Sequence, residues 1–280
     1  MYPWSMVEIE LDSITFRYGH RRGDPLFAEL SLRIAAGEWV GLVGPSGAGK
    51  TTLLKVMKGL LRPEAGEVRI NGAPLQELNP FAAFVFANPE NQIVSPVVAE
   101  DVGFGLEQAG LDIETIRRRA EQALRRVGLW ERARDLSHHL SGGEQQRLIL
   151  AGVLALRARC LLLDDPLSMV DGHARDDLLA LFGEIRKEEG CTLVQTTHQL
   201  DEVVNVSRVV ALERGRVVFD GPPMAFFRED SLIDRLGLEV PPLVRLREEL
   251  ARANLMAGTE IMSSRQLLSF IGVDEARRTD

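Results

Sequence analysis

Cysteine is scarce in this chain: there are two, Cys160 and Cys191, among 280 residues, and their spacing suggests no pairing. A disulfide-built scaffold is excluded. Each precedes an apolar segment, where a buried reduced thiol in a reducing compartment is expected. A basic excess is also missing. The formal net charge is -8, which argues against a nucleic-acid binder, although not against a local basic patch. Long apolar runs are absent. The longest, Leu148–Leu156, falls far short of the roughly 20 residues that a membrane span needs. The opening MYPWSMVEIELD has acids where a secretory signal needs a basic end and an apolar stretch. No internal repeat or low-complexity segment stands out. What remains is an ordinary globular composition, 45% hydrophobic, 6% aromatic and 26% charged. The length suits one large domain or two smaller ones with a sizeable core. The expectation is a soluble chain, with docking on a membrane partner left open.

Alternation marks Val7–Phe16 and Leu30–Ile34 as half-buried strands. Trp39–Val43 is a short apolar strand entering a glycine-rich turn, and 50–61 reads as a helix. Val68–Ile70 with Asn71-Gly72 gives a strand and turn, and Ala83–Phe86 another strand. From about Val97 to Leu156 helical patterns replace strands, including Ile113–Val127 and Glu144–Leu156. Strands return at Cys160–Leu163, Thr192–Thr196, Arg208–Glu213 and Arg216–Asp220. A helical block of about 90–157 is thus inserted into an α/β domain spanning 1–225. Residues 226–280 read as a helical extension. There Pro241-Pro242 precedes a helix with Leu243, Leu246 and Leu250 on one face. Ser263 or Ser264 caps a last helix through Phe270. The leucine stripe fits packing within the domain or a dimer seam.

The segment GPSGAGKTT fits G-x-x-x-x-G-K-S/T between a strand and a helix. Its residues are Gly44, Pro45, Ser46, Gly47, Ala48, Gly49, Lys50, Thr51 and Thr52. Glycines let backbone N–H groups turn inward around phosphate oxygens, and the helix N-terminus adds positive potential. Lys50 is expected at the β- and γ-phosphates and the Thr51 hydroxyl on Mg²⁺. LLLDD ends its strand with Asp164, placed to hold Mg²⁺ through water, and Asp165. LSGGEQQR opens a helix, where Ser141, Gly142 and Gly143 form either an ordinary cap or a second anion site. One nucleotide hardly needs two such turns unless one faces another subunit.

The ordered set GPSGAGKTT, LSGGEQQR, LLLDD, SMVD and TTH resembles an ABC-type ATPase over about the first 225 residues. The resemblance implies a P-loop α/β fold: a mixed core sheet, an antiparallel β edge subdomain and an inserted helical subdomain. It also implies a head-to-tail dimer with ATP between one phosphate loop and the other chain's signature. Ser141, Gly142, Gly143, Glu144 and Asp171 then act in trans, His198 touches the γ-phosphate, and Tyr18 stacks on adenine or is a surface tyrosine. FANPENQIVSPVVAEDVGFGLE and the C-terminal segment LGLEVPPLVRLREELARANL resemble energy-coupling-factor transporter ATPases, which drive vitamin and transition-metal uptake. That likeness implies a second ABC ATPase, a membrane scaffold protein and a substrate-binding membrane protein as partners, at the cytoplasmic face of the membrane. It also implies a C-terminal extension that helps pair the ATPases. Glu90 is the candidate to grip a scaffold arginine, or is merely solvated.

Two positions depart from that family pattern. Asp165 stands where a glutamate general base is usual, and one methylene fewer retracts the carboxylate by about 1.5 Å. Ala87 replaces a glutamine that senses Mg²⁺ and the γ-phosphate, and Gln92 is not expected to substitute. The signature keeps its serine and both glycines, with Glu144 in place of the commoner glutamine. The chain's own hydrolytic site therefore reads as weakened and its contribution to a partner as sound, which favours a heterodimer. The rival reading is a nucleotide-gated structural subunit with little hydrolysis of its own. A soluble ABC protein of DNA repair or translation fits less well, for want of coiled-coil inserts or a second ATPase domain. His138-His139 reads as surface. Arg117, Arg118, Arg119, Arg125 and Arg126 read as a solvated face, with lipid headgroup contact as the alternative.

Overall fold

Strand β1 (Ile9–Phe16) turns Ile9, Leu11, Ile14 and Phe16 inward. Its period-2 alternation breaks at Ser13, which has φ 51°, so that Leu11 and Ile14 can share a face. The molecule is described here from a computed structural model, which covers residues 7–19 and 23–252. β1 pairs antiparallel with β2 (Phe27–Ile34), which begins earlier than Leu30.

β3 (Trp39–Val43) leads into α1 (Lys50–Lys58). That helix stops short of the expected 61 because Gly59, at φ 84°, closes it with its N–H on Lys55 and Val56 carbonyls. β4 (Ala65–Ile70) returns to pair with β1, and β5 (Ala73–Pro74) completes an antiparallel sheet of order β2-β1-β4-β5. β6 (Ala82–Val85) ends one residue before the expected Phe86.

Between β6 and β7 the chain runs through α2 (Val98–Gln108), α3 (Ile113–Arg126) and α4 (Gly142–Ala155). β7 (Cys160–Asp164), α5 (Gly172–Glu189), β8 (Thr192–Thr196), β9 (Arg208–Glu213) and β10 (Arg216–Gly221) follow. The core sheet has the order β10-β9-β3-β8-β7-β6, parallel except for β10 against β9. Every residue of β3, β7 and β8 is buried, as expected of parallel strands covered on both faces. This is the mixed-sheet P-loop α/β architecture. The carboxyl ends of β3, β7 and β8 open on one edge, where α/β sheets place ligands.

Three helices close the described part: α6 (Pro223–Phe226), α7 (Asp230–Arg235) and α8 (Pro242–Arg252). The leucine stripe is only partly covered within the described residues. α8 buries Val244 and Arg247, whereas Leu243 and Leu250 are half-buried and Leu246 is 42% exposed. The helix expected after Ser263 or Ser264 lies outside the described residues. Both cysteines are buried and unpaired. Among the described residues no helix is long and apolar enough to cross a membrane.

Candidate active site

The loop after β3 needs its glycines. Gly44, Gly47 and Gly49 have φ of 141°, 79° and 107°, a region that other residues rarely adopt. A side chain on Gly44 would also meet the Leu212 carbonyl oxygen at 2.1 Å. Ala48 is buried beneath the loop, Pro45 is half-buried and Ser46 exposed. Lys50 Nζ donates to the Gly44 and Pro45 carbonyls at 2.6 and 3.1 Å, so its charge is held over the loop. Burial pulls the ammonium below its ordinary pKa, while Asp165 and Asp164 oppose that shift.

Asp164 ends β7 directly behind the loop. Its Oδ1 accepts from the Thr51 hydroxyl at 2.7 Å and from the Thr196 hydroxyl at 3.0 Å. The Asp165 N–H donates to the same Thr196 oxygen at 2.8 Å. Asp165 adopts φ 46°, where Asp and Asn are the non-glycine residues most at ease. Its Oδ2 lies 3.2 Å from His198 Nδ1, and its Oδ1 is buried with no hydrogen-bond partner. Burial pushes the carboxyl above its usual range, while His198 pulls it back. The Tyr18 and Thr52 hydroxyls share a 2.8 Å hydrogen bond, and Tyr18 is 58% exposed beside the loop. One hydroxyl and a carboxylate at the end of a phosphate-shaped loop suit Mg²⁺, which takes few protein oxygens and completes its shell with phosphate and water.

The remaining expected site residues lie apart from this cluster. Ser141 caps α4. Its hydroxyl accepts from the Glu144 N–H at 3.3 Å, and its own N–H donates to Glu144 Oε2 at 2.8 Å. Arg132 adds a 2.6 Å ion pair to Glu144. Burial works against the Glu144 charge, but the Ser141 N–H and Arg132 outweigh it and hold the acid below its usual range. Ser141 is exposed, and Gly142 and Gly143 are half-buried. Asp171 is exposed and caps α5, accepting from the Ala174 N–H at 3.1 Å. Among the described residues, no hydrogen bond or ion pair joins 141–144 or Asp171 to the 44–52 loop. Glu90 is exposed on the 3₁₀ turn Pro89–Asn91, whose start is capped by Asn88.

Ala87 is half-buried. Gln92 has both ends of its amide engaged with the end of β6: Nε2 donates to the Phe84 carbonyl at 3.0 Å, and Oε1 accepts from the Phe86 N–H at 3.1 Å. It is therefore not free to replace the missing glutamine. His138 and His139 are exposed with rings 4.4 Å apart. Sequence reasoning missed Thr196, the hydroxyl that ties Asp164 to Asp165, as well as Arg175 and Glu202. For Thr196 the signal was a hydroxyl closing a buried apolar strand. For Arg175 and Glu202, on a helix and a turn of unremarked pattern, there was none.

Comparison with known proteins bears on this arrangement. Residues 27–168 match the ABC transporter family model. The Energy-coupling factor transporter ATP-binding protein EcfA1 of Caldanaerobacter subterraneus subsp. tengcongensis is 35% identical over 94% of this chain and 98% of its own length. Its namesake from Enterococcus faecalis is 33% identical over 94% and 96%. Among solved structures, cbiO1 from Clostridium perfringens, part of the ABC transporter complex cbiONQ, superposes with a TM-score of 0.74. It is 29% identical, over 86% of this chain and 98% of its own. The cassette MJ0796, a dimer in a post-hydrolysis state bound to ADP and Pi, gives 0.70 at 28% identity over 77% and 98%.

Proposed function

The chain belongs to the ABC transporter family, among its energy-coupling factor transporter ATP-binding proteins, and from that premise we propose how its residues divide the work. As an ABC-type ATPase it binds ATP. The 44–52 loop takes the phosphates, with Lys50 turning from its carbonyl partners to the β- and γ-oxygens, and Tyr18 stacks on adenine. Thr51 and Asp164 would hold Mg²⁺, which supplies charge neutralisation at the phosphates when bound. His198 contacts the γ-phosphate, and Asp165 is the acid that draws a proton from the attacking water. Ser141, Gly142 and Gly143, braced by Glu144, and Asp171 complete the ATP site of a second subunit.

The observation that carries this reading is a division of surfaces. Lys50, Thr51, Asp164, Asp165 and His198 meet at one sheet edge, whereas the capped turn at Ser141 stands exposed and is bonded to none of them. A helix N-terminus with outward N–H groups is ready for an anion that the same chain does not offer it. The second subunit is another ABC ATPase. A heterodimer is favoured because Asp165 and Ala87 weaken this chain's own site and leave its signature whole. The exposed turn at Glu90 docks a membrane scaffold at the cytoplasmic face. A separate substrate-binding membrane protein selects the solute, a vitamin or a transition-metal ion.

Mixing two inactivated chains tests the two-chain site. Lys50→Ala removes one chain's phosphate grip, and Ser141→Arg blocks the other's signature. Each alone is expected at background in single-turnover hydrolysis of labelled ATP. Their mixture regains activity, because one intact composite site forms. The Lys50→Ala chain is also mixed with the partner ABC ATPase carrying a blocked signature, and inactivity of both mixtures overturns the reading.

A further inference from the structure

A polar cluster built on the buried Glu202 and Gln195 lies beside the site, where the mechanism above does not use it. Arg175, one turn into α5, donates through Nη2 to the Val170 carbonyl at 3.2 Å and through Nη1 to the Gln199 side-chain oxygen. Its Nε is 4.0 Å from Glu202 Oε1. Glu202 is 2% exposed, and its other oxygen accepts from Gln195 Nε2 on β8 at 2.8 Å. One guanidinium thus joins the turn before Asp171 to the residue after His198. A flat fork with several fixed donors can hold two acceptors in register, which a lysine ammonium cannot do equally well.

The turn it holds touches the signature of the same chain. A side chain on Gly142 would meet the Met169 carbonyl oxygen at 3.0 Å, and one on Gly143 the Ala174 and Val170 side chains at 3.3 and 3.7 Å. The glycine turn offered to the second subunit therefore rests directly on the 169–174 segment. That segment is fixed in turn by Arg175 to the chain's own His198 loop.

We infer that Arg175 is a positioning residue that sets the Ser141–Gly143 turn, through Val170, in register with the His198 loop, and so acts on the ATP site of the opposite subunit. The inference rests on the two-chain reading proposed above. Packed chains of side chains with few alternative arrangements carry such coupling. A displacement of about 1 Å at a reacting group can cost roughly 10²-fold in rate.

The test places Arg175→Lys in the Lys50→Ala chain and mixes it with the Ser141→Arg chain. The surviving site then uses the phosphate loop of the chain with an intact Arg175 and the signature of the chain without it. The expected result is a fall in kcat of about tenfold or more, with KM little changed because nucleotide is held by the unaltered loop. Activity equal to the Lys50→Ala and Ser141→Arg mixture overturns the inference. Should that reference mixture be silent, the comparison is made with the partner ABC ATPase carrying a blocked signature, and silence there too means that the two-chain reading fails instead. Amide exchange on the single chain then still decides for Arg175: faster exchange at 168–171 and 141–143 in Arg175→Lys supports it, and unchanged exchange overturns it. If Arg175→Lys does not fold, Gln199→Ala, at a half-buried position, carries the same expectations.

Discussion

His198 Nδ1 sits 3.2 Å from Asp165 Oδ2, so the shorter acid meets the imidazole while its second oxygen stays buried without a partner. The aspartate is anchored twice more, by its N–H on Thr196 and by a left-handed backbone. A carboxylate so fixed orients the histidine well but reaches less far out from β7 than a glutamate would, which makes it a weaker base. A general base must come within hydrogen-bond reach of the proton it takes.

Asp165→Glu is therefore expected to raise kcat severalfold or more, with KM for ATP nearly constant. The added methylene moves the carboxylate outward by about 1.5 Å. The same change should cost stability, at most about 1 kcal/mol, because glutamate is less at ease than aspartate at positive φ. Steady-state hydrolysis and thermal denaturation read the two effects separately. In the unaltered protein burial raises the Asp165 pKa. Turnover should therefore begin to fall with decreasing pH above the range of an ordinary aspartate. An unchanged rate in Asp165→Glu would remove the claim that this acid is too short.

Ala87→Gln tests the second departure. Gln92 is tied to Phe84 and Phe86, so its amide is not available to supply the missing one. The substitution should lower the Mg²⁺ concentration needed for half-maximal turnover and add to the gain of Asp165→Glu. A double variant no faster than Asp165→Glu alone, with the same Mg²⁺ dependence, would show that the glutamine position is idle here.

The parts of this molecule legible in the sequence were those where local chemistry decides. Three glycines at positive φ around Lys50 and an apolar strand ending in Asp164 are short-range signals, and they placed the phosphate loop and its acid. Helix α1 was read three residues too long because Leu60 and Leu61 continue an apolar pattern that Gly59 ends by backbone geometry. The stripe on α8 was only partly legible for a different reason. Burial there falls on Val244 and Arg247, and an arginine does not announce itself as a packed residue. Arg175 and Glu202 were illegible because their meaning lies in a contact between a helix and a turn well apart in sequence.

Glu144→Gln is expected to be nearly silent, which would explain why glutamate is accepted in the signature. Either side chain can accept from the Ser141 N–H, so the reciprocal cap survives. What is lost is the charge facing Arg132, a partly exposed pair that solvent screens and that adds little to stability. Ser141→Ala removes the cap itself and should cost about 1 kcal/mol. Denaturant melts of the two variants should rank in that order.

Glu202 should make the fold pH-dependent in a direction opposite to most carboxylates. Burial pushes its pKa from 4.5 up to about 7, with the negative charge of Asp165 adding to the rise and Thr197, Gln195 and Arg175 opposing it. The folded state therefore holds this proton more tightly than the unfolded state does. Its contribution to stability is complete below the unfolded value, and it is lost as pH rises through the folded one. Over that window, about 4.5 to 7, the loss is roughly 3 kcal/mol. Glu202→Gln keeps a neutral acceptor for Gln195 and cannot ionise. Its stability should run parallel to the unaltered protein at acid pH and exceed it above neutrality. Urea melts from pH 4 to 9 measure the difference. If the two curves stay parallel across the whole range, the buried acid is already charged at neutral pH and Arg175 compensates it fully.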